Sequence, residues 1–575
     1  MNNNEIVDLL RQIADMLEIK GEVIYKTLAY RRAAESIESL GRDLREVWQE
    51  GKLREVPGVG AALEAKLDEL FRTGRLAYYE RLQEEVPAGV VSLLAIPEVG
   101  PKTARLLWSK LGLLSVAEVE QAAKQGLLRK LPGLGERSEQ RILAGIESLY
   151  RRSDRIPLGV AWPVAVELMA ALDAAISPDR IETAGSLRRM RETIGDIDLL
   201  AAAKDTAAVT AAFARLPQVA EVLGQGPTKA SVVLHNGLQV DLRVLEPPHW
   251  GAALQYFTGS QAHNVALREL AQKQGLSLSE YGFRQGEQEI ACPTEEEVYE
   301  RLGLAWVPPE LREDRGEIAA AREGRLPDLV TLAQIKGDLH LHSTWSDGAA
   351  TVAEMAEAAL RRGYEYLVIS DHTHSLGVAN GLTWERMQAQ RAELAEVQAR
   401  FPALRLLQGA EVEIKADGSL DFPDELLAQL DVVVASLHSG LRQEGEQITA
   451  RALQALRNPH VDILGHPSGR LLGQREASAL DLGEVIRAAA ETGAILEVNS
   501  IPDRLDLDDA HVREAIRAGV RIAINSDAHS VAGLDSLRYG VATARRGWAE
   551  AAHVVNTLGA AELLALLARR GGSGG

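Results

Sequence analysis

At 575 residues, 46% hydrophobic and 25% charged, the chain is too long for one core and predicts about three to five globular domains of ordinary soluble composition. A formal net charge of −19 excludes a simple electrostatic nucleic-acid binder, and a single cysteine excludes an internal disulfide framework and fits a reducing cytosol. With no basic N-terminal region leading an apolar stretch, and no apolar run near ~18 residues, the expectation is a cytoplasmic chain, neither secreted nor membrane-spanning.

Residues 1–90 carry helical periodicity, as in Glu5–Leu17, Val23–Leu40 and Ala61–Phe71, and 91–154 continue in short helices broken by Pro-x-x-Gly turns. One motif recurs: Val56-Pro57-Gly58-Val59-Gly60, Ile96-Pro97-Glu98-Val99-Gly100 and Leu131-Pro132-Gly133-Leu134-Gly135 each follow a helix and open another. This is the helix-hairpin-helix pattern, in which glycines admit close backbone approach and helix N-terminal amides hold a phosphate without reading sequence. Gly58, Gly60, Gly100, Lys102, Gly133 and Gly135 are therefore candidate DNA-backbone contacts, against the plainer reading of ordinary αα-turns. Local charge favours the first reading, since residues 101–155 hold eleven Lys/Arg against six Asp/Glu.

Strand patterns appear between 155 and 245, at Ile197–Ala201, Ser231–Leu234 and Leu238–Val244, mixed with helices. On a strand, Asp196 and Asp198 share a face, and Asp241 lies on a second candidate strand. Three such carboxylates suit two Mg²⁺ ions and in-line phosphoryl transfer, with Gly185, Ser186, Arg188 and Arg189 upstream for a triphosphate. Residues 246–315 read as mostly helical with turns, Cys292 there as a buried or incidental thiol, and the Pro- and charge-rich stretch Trp306–Leu326 as an interdomain linker, placed at 316–335.

From Ile335, apolar strands alternate with amphipathic helices: Tyr366–Ser370, Leu404–Gly409, Val432–Ser436, Ile463–His466, Ala494–Val498 and Ile522–Asn525. The alternation predicts a parallel barrel over 336–570 with its site at the strand C-termini. His340-x-His342 on a strand would turn both imidazoles to one ion, and Asp347, His372, Glu411, His438, His466, Asp527 and His529 recur at later strand ends. His374, His460, His511 and His553 lack such motif support. The tail Gly571-Gly572-Ser573-Gly574-Gly575 reads as a flexible end.

Gly185-Ser186-x-Arg188-Arg189…Gly195-Asp196-x-Asp198 resembles the palm signature of family X DNA polymerases, and Tyr256-Phe257-Thr258-Gly259-Ser260 is similar to that family's thumb motif. The resemblance implies a DNA polymerase beta-like nucleotidyltransferase palm (155–245) and thumb (246–315). Gly185, Ser186, Arg189 and Gly195 would then meet the triphosphate. Asp196 and Asp198 would hold both metals, and Asp241 would assist the primer 3′-OH. Tyr256, Phe257 and Gly259 would border the sugar, Asn264 would reach the base, Arg268 would touch the template minor groove, and Gly259–Ser260 would be cis. The N-terminal helices resemble the family's 8 kDa domain, with Lys66 at its Schiff-base position for removing 5′-deoxyribose phosphate. Ala62 and Tyr78 stand where strong lyases carry lysines, and Gln239 replaces an arginine usual in the mammalian repair enzymes.

The His-rich set resembles the PHP (polymerase and histidinol phosphatase) domain, a distorted (βα)₇ barrel with a trinuclear site. The implied grouping is His340, His342, Glu411 and Asp527 on one ion, His438 and His466 on a second bridged by Glu411, and Asp347, His372 and His529 on a third. Mixed nitrogen and oxygen ligation suits Mn²⁺, Zn²⁺ or Fe²⁺. Together the resemblances imply a multidomain α/β chain, a monomeric repair enzyme acting on gapped or primer-template DNA with dNTPs and Mg²⁺. Its barrel would hydrolyse 3′ ends, with abasic-site or 3′-phosphate activity as extensions. The alternatives are a small-molecule phosphatase on a degenerate polymerase, or a DNA-binding scaffold with structural metals.

Overall fold

The computed structural model describes residues 3–571, apart from 23, 39–43, 57, 97–98, 152–154, 377–378, 442 and 474. Of the sequence expectations, Val23, Leu40, the motif residues Pro57, Pro97 and Glu98, and the tail after Gly571 lie outside the described residues. The chain divides into two units, 1–153 and 154–575.

The first unit is helical. Helix Asn3–Lys20 buries Ile6, Leu10, Ile13 and Leu17, a spacing that keeps one face of a 3.6-residue helix against its neighbour Ile24–Glu38. One hydrophobic cluster runs from Ile6 to Ile146, so the two helical regions expected on either side of residue 90 share a core. The hairpins take their expected form. Gly58 has φ +87°, and a Cβ there would come within 2.8 Å of the Ala33 amide nitrogen, so the turn requires glycine. Gly60 and Gly100 precede the helices Ala61–Thr73 and Pro101–Leu111, and Gly133 (φ +81°) precedes Glu136–Arg151.

In the second unit a five-stranded sheet runs in the order Arg180–Thr183, Ile197–Ala202, Gln239–Leu245, Lys229–Leu234, Val219–Gln225. The pair Ile197–Ala202 and Gln239–Leu245 is parallel; its other neighbours are antiparallel. Helix Leu158–Ile176 packs on this sheet through Leu158, Ala161, Ala165, Leu168 and Leu172. At 19 residues it is long and apolar enough to cross a membrane by length and composition alone, although it holds no unbroken apolar run near ~18 residues. Glu167 and Asp173 interrupt its apolar sequence.

Residues 246–315 hold more than helices and turns. Ser277–Ser279, Gly282–Gln285 and Gln288–Ile290 form a three-stranded antiparallel sheet, too short and too polar for strand periodicity to register. The stretch 316–335, read as a linker, is packed instead. Glu317 is fully buried and 2.6 Å from His263, Ala320, Ala321, Leu329 and Val330 are buried, and the Val330 amide donates to Ala549 O at 2.9 Å.

Seven parallel strands follow in sequence order, from Gly337–Asp338 to Ile522–Asn525. The bridge between Leu341 and Ala528 joins the first edge to the last and closes the barrel. Only Gly337–Asp338 is regular strand at the start, so His340 and His342 sit just beyond it, fixed by His342 N to Ala528 O and Asp527 N to His340 O, each 2.9 Å. The five-stranded sheet's core takes in Leu505 and Tyr539 from the barrel, and a Cβ on Gly159 would lie 2.2 Å from Pro502. These two layers are packed without room between them.

Two candidate metal centres

In the five-stranded sheet Asp198 and Asp241 are register partners on parallel neighbours, half-buried, with Asp196 exposed just before its strand. Burial first, then Asp196 and Asp241, push the Asp198 carboxyl up to about 7. Burial would raise Asp241 as well, but Lys229, with Nζ 2.7 Å from its carboxylate, and Ser231 hold it below the usual range. Gly185 (φ +58°) opens the turn above Asp198, where a Cβ would lie 2.2 Å from Asp198 Oδ2. The glycine thus makes room for the carboxylate.

The adjacent arginines are engaged differently from expectation. Arg189 is held within the protein: its Nη1 donates to Thr258 O at 2.5 Å and its Nε to Glu313 at 3.1 Å. Asn264 is likewise occupied, accepting from Gln255 Nε2 and donating to Tyr256 O, each at 2.7 Å. Burial drives both groups to satisfy themselves within the protein. Arg188 pairs through both Nη atoms with Glu295 at 2.8 Å, and the fully buried Arg312 reaches the same carboxylate at 2.6 Å. Burial would raise Glu295, but these two guanidiniums hold it at about 2. Tyr256 and Phe257 meet edge to face, Arg243 lies over Phe257, and Phe257 lines a cavity of about 250 Å³ with Thr206, Thr228, His249 and Tyr281. Ser186 and Arg268 are half-buried, Gly195 is exposed, and Gly259–Ser260 is cis.

The barrel brings together all nine expected ligands. His342, Asp347, His372 and His529 form one group, His340, His342 and Asp527 a second, and His372, Glu411 and His438 a third, each with ligand atoms within 4.8 Å of one another. His466 Nε2 lies 2.8 Å from Glu411 Oε1. The partition differs from the expected one: His342 and His372 each stand between two groups, because their imidazoles stack at 4.3 Å between Glu411 and Asp347. His340 Nε2, His342 Nδ1 and His372 Nδ1 are buried without hydrogen bonds, although His340 Nε2 and His372 Nδ1 lie 3.3 and 2.8 Å from Glu411. Unpartnered ring nitrogens aimed among carboxylates are the donor set a divalent cation satisfies, so the residues fit metal ions.

The palm carboxylates form no such 4.8 Å group among the described residues, with Lys229 drawn onto Asp241 instead. Their fit to a dication rests on the pairing of Asp198 and Asp241 in register on adjacent strands, where burial and then the neighbouring carboxylates raise Asp198.

Residues behind the ligands escaped the sequence reading. Glu497 lies 2.8 Å from His340 Nδ1 and accepts the His466 amide at 2.7 Å; Glu413 lies 2.8 Å from His438 Nδ1; Asn499 donates to Asp527 at 2.9 Å. The available signal was a carboxylate inside an otherwise apolar strand, as in Ile495–Asn499. His466 (φ +26°) and Asp527 (φ +51°) adopt left-handed backbone, a strain of about 1–3 kcal/mol each that these bonds hold in place. His374 and His511 instead pair with Asp421 and Asp508, outside the cluster.

Among the hairpins, the first turn of Pro101–Leu111 carries Lys102 and no acid, whereas Glu136–Arg151 opens with Glu136 and Glu139, both paired with Arg129. The second hairpin therefore suits a phosphate better than the third. Lys66 lies 4.6 Å over the Tyr78 ring and donates to Ala62 O, so the two departures from the lyase pattern are its contacts.

Comparison with known proteins matches residues 1–76 to a helix-hairpin-helix domain, 90–148 to a SAM-like helix-hairpin-helix tandem, 253–313 to the DNA polymerase beta thumb and 338–501 to the PHP domain. The chain is 38% identical over 573 residues to the DNA polymerase/3'-5' exonuclease PolX of Bacillus subtilis (strain 168), covering 99% of this chain and 100% of that one. DNA polymerase lambda of Rattus norvegicus is 27% identical over 346 residues, 54% of this chain and 56% of its own. A probable phosphatase of Thermoanaerobacter sp. (strain X514) is 30% identical over 203 residues, 33% of this chain and 78% of its own.

Proposed function

Since the chain belongs to the PolX-type family X DNA polymerases, we infer that it is a DNA polymerase filling short gaps in DNA repair, joined to a metal-dependent 3′→5′ exonuclease. The observation that carries this reading is the pair of ligand sets: carboxylates alone on the palm, histidines with carboxylates in the barrel. A phosphatase without polymerase activity would leave the palm carboxylates and the hairpins unused.

On the palm, Asp196, Asp198 and Asp241 would hold Mg²⁺ arriving with a dNTP, and Gly185, Ser186, Arg189 and Gly195 would meet the triphosphate. Tyr256 and Phe257, which meet edge to face, would border the nucleotide's sugar. In the barrel, the nine ligands would hold up to three Mn²⁺ or Zn²⁺ ions. When bound, such ions activate water and neutralise charge developing on the phosphate. With metal bound, Glu497 would keep the His340 proton on Nδ1, and Glu413 that of His438, which frees each Nε2, on the side of Glu411, to act as a ligand. In hydrolysis, water oxygen bonds to phosphorus and the 3′ oxygen of the preceding nucleotide leaves, which restores a 3′-OH. The hairpin helices would grip the DNA backbone, foremost at Gly100 and Lys102.

A gapped duplex assayed first with Mg²⁺ and then with Mn²⁺ tests the assignment. Asp198→Ala is expected to abolish extension and keep Mn²⁺-dependent hydrolysis of single-stranded DNA, and His342→Ala to do the reverse. Absence of extension by the wild-type protein would sink the reading.

A further inference from the structure

Glu313 stands where the palm, the thumb and the barrel meet, with 10% of its side chain exposed. It receives Arg189 Nε at 3.1 Å, Arg191 Nη1 at 3.4 Å and Arg546 Nη1 at 3.0 Å. Arg546 ends the helix Leu537–Arg546 that follows the last barrel strand, and only 4% of its side chain is exposed. The same Nη1 donates to the main-chain carbonyl of Arg189 at 2.8 Å, while Nη2 reaches Asp509 at 2.8 Å. A guanidinium from the hydrolytic half therefore holds both the backbone and the ion-pair partner of an arginine beside the palm's Gly-Ser turn.

We propose that Arg546 is a positioning residue for polymerisation: through Glu313 and the Arg189 carbonyl it orients Arg189 for the incoming nucleotide triphosphate, so that the barrel completes the nucleotide site. The proposal rests on Arg189 facing the triphosphate in the polymerase reading. A carboxylate facing a single arginine closes onto it as a bidentate pair, which a phosphate must then displace. Shared among three guanidiniums, Glu313 orients Arg189 while leaving it able to exchange one anion for another. Asp509 balances Arg546 on its far side, which keeps the guanidinium directed at Glu313. Loss of Arg546 frees Glu313 to clamp Arg189 and strips the Arg189 carbonyl of a buried donor.

The measurement is dNTP dependence of gap filling by the full chain with Mg²⁺. Arg546→Ala is expected to raise KM for dNTP by roughly tenfold with kcat within about twofold, a split that marks lost ground-state binding. Arg546→Lys restores the charge but not the two-way donor geometry, and is expected near threefold. Mn²⁺-dependent hydrolysis of single-stranded DNA should match wild type, which reports an intact barrel. Glu192→Gln is the control for loose docking, because Glu192 accepts Arg470 Nη2 at 2.6 Å across the same seam, whereas the partners of Arg189 and Glu313 are Thr258, Arg191 and Arg546. It should leave KM unchanged. If Arg546→Ala also loses hydrolysis, Arg546→Lys carries the test. A wild-type KM in the Arg546 variants, or an equal rise in Glu192→Gln, overturns the proposal. A wild-type protein that fails to extend with Mg²⁺ counts against the polymerase reading instead.

Discussion

The two metal centres solve the problem of gathered charge in opposite ways. The palm places carboxylates together with a lysine on one of them, and burial, then that crowding, carries Asp198 up to about 7. The barrel interleaves six histidines with three carboxylates, and its charges compensate one another: burial would raise Glu411, yet the histidines around it hold it far below the usual range. Burial would lower His438, yet Glu411 and Glu413 carry it up to about 10. One centre is incomplete until ions and nucleotide arrive. The other is assembled in advance, with its ligands fixed by a further layer of hydrogen bonds.

That contrast breaks first at the barrel's supporting layer. Glu497→Gln keeps shape but removes the charge that holds the His340 proton on Nδ1. Expected is a loss of Mn²⁺ affinity of about 10–100-fold, read by calorimetric titration, with Mg²⁺-dependent gap filling within about twofold of wild type. A parallel fall in gap filling would mean the centres are not separable.

The ligands were legible in the sequence because each carries its own chemistry at a strand end, where a barrel exposes it: Asp198, Asp241, His342 and Glu411 needed only period and spacing. The grouping of the ligand atoms was not legible, because it depends on how the His342 and His372 rings stack across strands. The partners that hold Arg189 and Asn264 in place were not legible either, since Glu313 lies 124 residues from Arg189, and Asn264 is held by Gln255 and Tyr256. The supposed linker failed for a related reason. Its charge-rich composition pointed to a linker, but Arg312 and Glu317 are buried in pairs with Glu295 and His263.

A smaller effect separates the centres by pH. Because the folded-state value of Asp198 lies above its ordinary value, at about 7, Mg²⁺ must displace a proton below neutrality. The apparent Mg²⁺ half-saturation for gap filling should rise as pH falls from 7 to 6, approaching about tenfold for one proton, and should flatten above pH 8. A flat profile from 6 to 8 would show that Asp198 does not carry the proton.

The smallest effect has the more telling sign. Lys229 lies 2.7 Å from Asp241, where a metal ion would bind, and its side chain is 42% exposed, so the pair is worth well under the figure for a buried one. If Lys229 is a stand-in that a dication must displace, Lys229→Met strengthens Mg²⁺ binding, with half-saturation at pH 8 falling about two- to fivefold, the range that ~0.4–1 kcal/mol supplies. If instead it rises, Lys229 helps to hold the nucleotide's phosphates, and the palm is less dependent on incoming ions than its three carboxylates imply. The direction of that one shift decides whether the palm, like the barrel, carries its own compensating charge.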